Sequence, residues 1–395
     1  MAIGRTHRIF HTSAVYSTIA TCLVLPFSSS LLSLFSILTI LFWLLSGKMK
    51  LLPTVVRTNP VALLTVILLA LFLIGLAYTS ADLDHALSVL KKYRELIFIP
   101  LLITLLKDNP VGRKNCAYSF ITGCIILMLS SYAMYFSLLP VAKYGNSLVY
   151  HITHSYFMAI LAYWSLHKSI DSHQYRYLWV IILLLALVNL FYIAPGRTGM
   201  AVFLFLMILF LLQRLSLLQQ MIGLLLLTIV LSLTFMTSEN FSSRTSMALK
   251  EVQSYEYGAS RSSMGMRFDW WLDSLKLIQE KPLFGHGTGA FTHEHDRLIE
   301  GTKTMPTDNP HSEYLFIAVQ LGGVGLALFL LLLLAELLET RRLEKCDRMF
   351  MQGVVVAMAA GCIMNSFLFD SHQGHFWAFL SGVYFSAYPE KQLEL

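Results

Sequence analysis

Apolar runs broken by short polar turns fill nearly all of the chain. The runs 63–78, 180–193, 221–235 and 315–338 each approach or exceed the roughly 20 apolar residues that span a bilayer. Segmenting the pattern predicts about twelve spans, at 12–28, 30–46, 60–78, 94–107, 116–137, 153–167, 177–194, 198–213, 217–235, 312–338, 350–368 and 375–388. A single long polar island, residues 236–310, separates the ninth span from the tenth. The expected fold is therefore all-α, one polytopic membrane domain over 1–395 carrying one large, mainly helical loop.

Two amphipathic patterns lie outside the spans. Residues 267–281 place Phe268, Trp271, Leu272, Leu275 and Ile278 at helical spacing before Pro282 ends the helix. Gly285, Gly287 and Gly289 follow. Without the strand and the Lys-Ser/Thr of a phosphate-binding loop, they read as a tight loop packed on the membrane face. Residues 81–94 put Leu83, Leu87 and Leu90 on one face, and Lys91, Lys92 and Arg94 close the segment. That pattern suits an interfacial helix meeting lipid headgroups, or an anchor for the next span.

Composition agrees: of 395 residues, 56% are hydrophobic and 13% charged, against about 25% charged in soluble domains. Mean hydropathy is +0.63. The apolar stretch from Thr12 lacks a small-residue cleavage site, so it reads as a span and not a cleaved leader. A net charge of +6 does not imply nucleic acid here, because Lys and Arg track topology. With the N-terminus in the cytoplasm, the inner side holds Arg5, Arg8, Lys48, Lys50, Arg57, Lys107, Arg113, Lys114, Lys168, Arg176, Arg214, Arg341, Arg342, Lys345, Arg348 and Lys391. The short outer loops hold Lys91, Lys92, Arg94, Lys143 and Arg197. Both termini are thus expected inside and the island outside, in the periplasm if the membrane is a bacterial inner membrane. The five cysteines follow no metal or disulfide spacing.

Three residues converge on the outer face of that topology. Arg197 lies in a very short turn between two spans, Arg267 opens the island's amphipathic helix, and His311 closes the island. An arginine at a membrane-level turn is costly unless it has a partner or a task. Guanidinium groups bind phosphate oxygens as a bidentate fork. An imidazole can take a proton from a hydroxyl near neutral pH.

His311-Ser312, nine residues, Gly322, two residues and Gly325 together resemble the signature of the bacterial O-antigen ligases. The run from Arg267 through Trp271 to Pro282–Gly289, and Arg197 in its turn, are similar to the wider O-antigen ligase and polymerase superfamily. Ala201 stands where relatives often carry Leu. The resemblance implies a GT-C-like, inverting glycosyltransferase that needs neither cofactor nor metal. It would move O-antigen polysaccharide from undecaprenyl pyrophosphate onto lipid A–core at the periplasmic face, completing lipopolysaccharide. By the same resemblance Arg197 and Arg267 would grip the donor pyrophosphate and His311 would activate the acceptor hydroxyl, with Arg94 and Ser312 in support. A polymerase acting on the same donor, a protein O-oligosaccharyltransferase and a lipid-linked glycan transporter are the alternatives. Spans nearly free of carboxylates argue against transport.

Other clusters admit plainer readings. Thr292–Asp296 alternates histidines and carboxylates without the helical spacing of a zinc motif. His151 and His154 could line an acceptor cavity or be interface polars. Asp370, His372 and His375 form the last outer turn. Trp270, Trp271 and Trp377 fit sugar stacking or, better, an interfacial aromatic belt.

Overall fold

The computed structural model describes residues 2–259 and 261–387. Lys391 and the end of the last expected span lie outside the described residues. Among those described the chain is helical, with no strand: α1 (Ala2–Val24), α2 (Ser29–Leu45), α3 (Leu52–Thr58), α4 (Pro60–Gly75), α5 (Leu83–Leu90), α6 (Phe98–Leu106), α7 (Pro110–Tyr135), α8 (His151–Asp171), α9 (Arg176–Val188), α10 (Arg197–Arg214), α11 (Leu217–Thr237), α12 (Glu239–Gln253), α13 (Ser263–Glu280), α14 (Phe291–Ile299), α15 (Glu313–Glu339), α16 (Lys345–Met364) and α17 (Ser371–Phe385). Among the described residues, seven helices are long and apolar enough to cross a membrane, or eight if Ser29–Leu45 and Lys48–Thr58 form one broken span. The expected span 94–107 divides into a 3-10 turn, Lys91–Ile97, and the nine-residue α6. The island is largely helical, as its pattern suggested, and holds α12 to α14.

The chain forms two compact units. The first comprises residues 1–49, 105–246 and 343–360. Its core is α8, buried along most of its length and flanked by α9 and α10. His154 is fully buried there, with Nδ1 2.8 Å from Ser147 Oγ and Nε2 2.6 Å from Asn189 Oδ1. Both ring nitrogens are engaged, which makes it an interior polar residue and not the wall of a cavity.

The second unit comprises residues 50–104, 247–342 and 361–395. Its organising feature is a break in α15. Gly322 has φ +65° and ψ −164°, which interrupts the helix within an apolar run. A broken helix frees carbonyls before the break and N–H groups after it, and each is costly in an apolar setting. The glycine loop satisfies them. His286 and Gly287 donate to Val319 O and Gln320 O at 2.9 and 2.8 Å, and Gly323 and Val324 donate to Pro282 O and Leu283 O at 2.7 and 3.2 Å. The same loop locks onto α4: Thr288 Oγ1 donates to Phe72 O at 2.6 Å and Thr288 N to Gly75 O at 3.1 Å. Its amides are therefore spent on two helices, which explains why a glycine-rich run occurs here without any phosphate to bind.

Candidate active site

Arg197 belongs to the first unit. It is the first residue of α10, half-buried, and follows a π-helical turn over Asn189–Ile193. Gly196 and Gly199 let this turn lie directly on α8: a Cβ on Gly199 would come 2.3 Å from the Ser155 carbonyl carbon. The glycines on either side of Arg197 thus fix where its side chain starts. The α10 dipole adds positive potential at the same point.

Arg267, His311 and Ser312 belong to the second unit, and the structure brings the first two together. Arg267 is 8% exposed, on the inward face of α13, and its Nη2 donates to Asn365 Oδ1 at 3.3 Å. One turn on, Trp270 and Trp271 donate their indole N–H groups to Met305 O (2.8 Å) and Pro310 O (3.0 Å). These bonds pin the segment that ends in His311, and the Trp270 ring lies 5.2 Å from the His311 ring. The two tryptophans are scaffolding for this loop. Trp377 is fully buried and donates its indole N–H to Glu336.

His311 has φ +52°, left-handed backbone in a residue with a Cβ. Such strain costs about 1–2 kcal/mol and persists only where neighbours impose it. Here Asn309 does so: its Oδ1 accepts the His311 N–H at 2.9 Å and the Ser366 hydroxyl at 3.2 Å. Burial lowers the pKa of the half-buried imidazole, and the nearby Arg267 charge lowers it further, to about 4. His311 is consequently neutral at physiological pH and able to accept a proton. Ser312 turns away, its hydroxyl directed at Cys362 O (3.4 Å). Arg94 is exposed and donates to Lys91 O at 2.8 Å. Its guanidinium serves its own turn.

The sequence reading passed over Glu313, beside Ser312. This fully buried carboxylate accepts the N–H groups of Leu368 and Phe369 at 2.9 and 3.2 Å and the Tyr93 hydroxyl at 3.2 Å. It thereby clamps the turn whose Asn365 and Ser366 hold Arg267 and Asn309. Its signal was present: a carboxylate opening an apolar run is costly unless it has partners. Glu95 and Glu336 are similar cases, so the helices are less free of buried carboxylates than the hydropathy pattern suggested. His375, from the last turn, is buried with Nδ1 3.2 Å from Glu95 Oε1.

Glu280, His286 and Glu294 bring potential ligand atoms within 4.8 Å of one another. Arg297 already bridges the carboxylates, with Nε 2.7 Å from Glu294 and Nη2 2.5 Å from Glu280. Burial alone would raise the Glu294 pKa, but the nearby Ser80 hydroxyl, the hydrogen bond from Arg297 and the His286 and Arg297 charges bring it to about 2. His295 lies instead 3.6 Å from Asp273. The histidines of 292–296 therefore turn to different partners.

Helices of membrane-spanning length, a broken span and a histidine–arginine pair on a helical insertion define a polytopic membrane protein with a candidate transfer site. Residues 180–330 match the family model for O-antigen ligases, a segment that contains Arg197, Arg267, His311, Gly322 and Gly325. Over that segment the chain is similar to the O-antigen ligases. The chain is also similar to an uncharacterised protein of Haemophilus influenzae, 29% identical over 276 residues, which is 64% of this chain and 68% of that protein.

Proposed function

We propose that the protein is an inverting glycosyltransferase that ligates O-antigen from undecaprenyl pyrophosphate onto lipid A–core at the periplasmic face of the inner membrane. The observation that supports this best is the neutral, strained His311 held beside the buried Arg267 inside the family's matched segment. In the proposed reaction the acceptor hydroxyl oxygen attacks the anomeric carbon of the donor. The anomeric carbon–oxygen bond to pyrophosphate breaks, and its electron pair leaves with the pyrophosphate. His311 takes the hydroxyl proton.

Arg267 and Arg197 would receive the pyrophosphate, since guanidinium stabilises departing phosphate charge without a metal. An anion on Arg267 would cancel part of the charge that depresses His311, so donor binding would make the base stronger when it is needed. Both termini would lie in the cytoplasm. The related polymerase reaction, with a second lipid-linked glycan as acceptor, is the runner-up, because the donor chemistry is the same.

The deciding experiment mixes purified wild type or His311→Ala with undecaprenyl-pyrophosphate glycan and lipid A–core. Transfer by the wild type, reduced by about 10²-fold or more in the variant, supports the ligase. Growth of the glycan on its carrier with lipid A–core untouched would instead make it a polymerase, and no transfer of either kind would reject both.

A further inference from the structure

The island helix α13 turns several polar residues inward. Its buried face carries Arg267, Asp269, Asp273 and Ser274 together with Met264, Trp270 and Leu277, while Leu272 and Leu275 are exposed at 41% and 46% beside Lys276 and Gln279. After Pro282 the exposure continues, with Leu283 at 65% and Phe284 at 59%. A helix in water presents its polar face outward. This one keeps a charged cluster within and presents two leucines among its outer polar residues, which suits a boundary between water and an apolar phase.

The helices that grip the following loop give its depth. Tyr78, the end of the span Pro60–Tyr78, donates its hydroxyl to Phe284 O at 2.8 Å. At 1.5 Å per residue that span is about 28 Å long, close to one hydrocarbon thickness. On α15 the loop seats at Gly322, and from there to Glu339, next to Arg341 and Arg342, is about 26 Å. Two independent helices thus put the Leu283–Phe284 tip at the edge of the hydrocarbon, on the side opposite Arg341 and Arg342. Its neighbours there are equally apolar and exposed: Leu73, Ile74 and Val324. The tip continues a lipid-facing surface. Along α13 an open groove of about 340 Å³ runs between Leu272, Leu275, Tyr257, Lys276 and Gln279, an apolar floor with a polar rim. Lys276 donates to Tyr257 Oη at 2.6 Å and to Asp273 Oδ1 at 3.0 Å, which keeps its charge paired at the rim of the groove.

We infer that α13 and the loop after it form an interfacial membrane element, with Leu272, Leu275, Leu283 and Phe284 lodged among the acyl chains of one leaflet. Arg267 starts the same helix, so any lipid-linked substrate it grips would be met at the membrane surface.

The test is spin-label depth measurement on the full chain in phospholipid nanodiscs. Cys346, the exposed native cysteine among the described residues, is replaced by Ser; the other four are buried. Single cysteines are introduced as L275C and F284C, with L331C on exposed mid-α15 as a lipid reference and K303C as a water reference. The readout is the ratio of collisions with oxygen to collisions with a water-soluble nickel chelate. At 275 and 284 it should be several-fold above that at 303 and below that at 331. A ratio equal to that at 303 would put the element in water and overturn the inference. Low collision with both reagents would mean a protein partner or second copy covers it, which also overturns it. Because both new cysteines replace exposed side chains, folding is not at risk, and the readout is independent of glycan transfer.

Discussion

At the residue scale, His311 combines a strained backbone with a depressed pKa, and each makes a prediction. Asn tolerates left-handed backbone better than Ala. Both His311→Asn and His311→Ala should lose transfer, but the Asn variant should have the higher melting temperature in detergent. In the free enzyme the neutral imidazole is the active form and persists down to about pH 4. The acid limb of kcat/KM should therefore stay flat from pH 7 to 5 and fall only near 4. In Arg267→Gln that limb should move to higher pH, though only part of the way to 6.5, because burial is the larger cause of the shift. A wild-type limb already falling at 6.5 would show that the imidazole is neither buried nor beside a cation. Arg267→Lys, keeping the charge but losing the fork, should cost about a hundredfold in transfer.

Much of this was legible in residues. His311, Arg267 and the glycines had distinctive types at distinctive spacings, and the structure seats His311 and Arg267 in one cluster. Glu313 was not legible as a clamp, because its worth lies in accepting two N–H groups more than fifty residues away. The tryptophans carry a task the sequence does not show, because the partners of their N–H groups, Met305 O and Pro310 O, lie some 35 to 39 residues on.

At the scale of elements, the long apolar runs fall on long helices, and the shorter ones are divided by turns. The segment 94–107 looked like a span, yet only nine of its residues form α6, because Lys91–Ile97 tightens into a 3-10 turn. The helix at 267–281 was also foreseen, but periodicity does not say which face turns inward. The break at Gly322 is the element on which the second unit depends. A Cβ there would lie 2.3 Å from the Leu283 carbonyl and would also disfavour the positive φ. Gly322→Ala should therefore destabilise the protein by more than about 2 kcal/mol. Denaturant or thermal melting in detergent measures this, and a wild-type midpoint would show that the loop does not seat as described. Gly323→Ala meets only the Pro282 carbonyl oxygen at 3.3 Å and should be far milder.

At the scale of the molecule, a helical membrane fold was evident from hydropathy alone. The two-unit organisation was not, because each unit is assembled from three separated stretches of chain. The proposed chemistry draws its positive charge from arginine. Transfer should accordingly survive exhaustive chelation, with Arg297 keeping its place between Glu280 and Glu294. Loss of activity with EDTA and its recovery on adding zinc would assign that cluster a metal and a role.

The bond pattern around Gly322 also bears on how the protein is made. Synthesis delivers α4 first, the glycine loop some two hundred residues later, and α15 after that. When the apolar run of α15 emerges, the acceptors and donors for its unpaired groups are already on the membrane. A ribosome-stalled chain ending before Pro282 should therefore hold α4 but no seat for a broken helix. A chain stalled past Glu339 can close both ends of the break at once, whereas the candidate site is completed only when Asn365 and Ser366 arrive to hold Arg267 and Asn309.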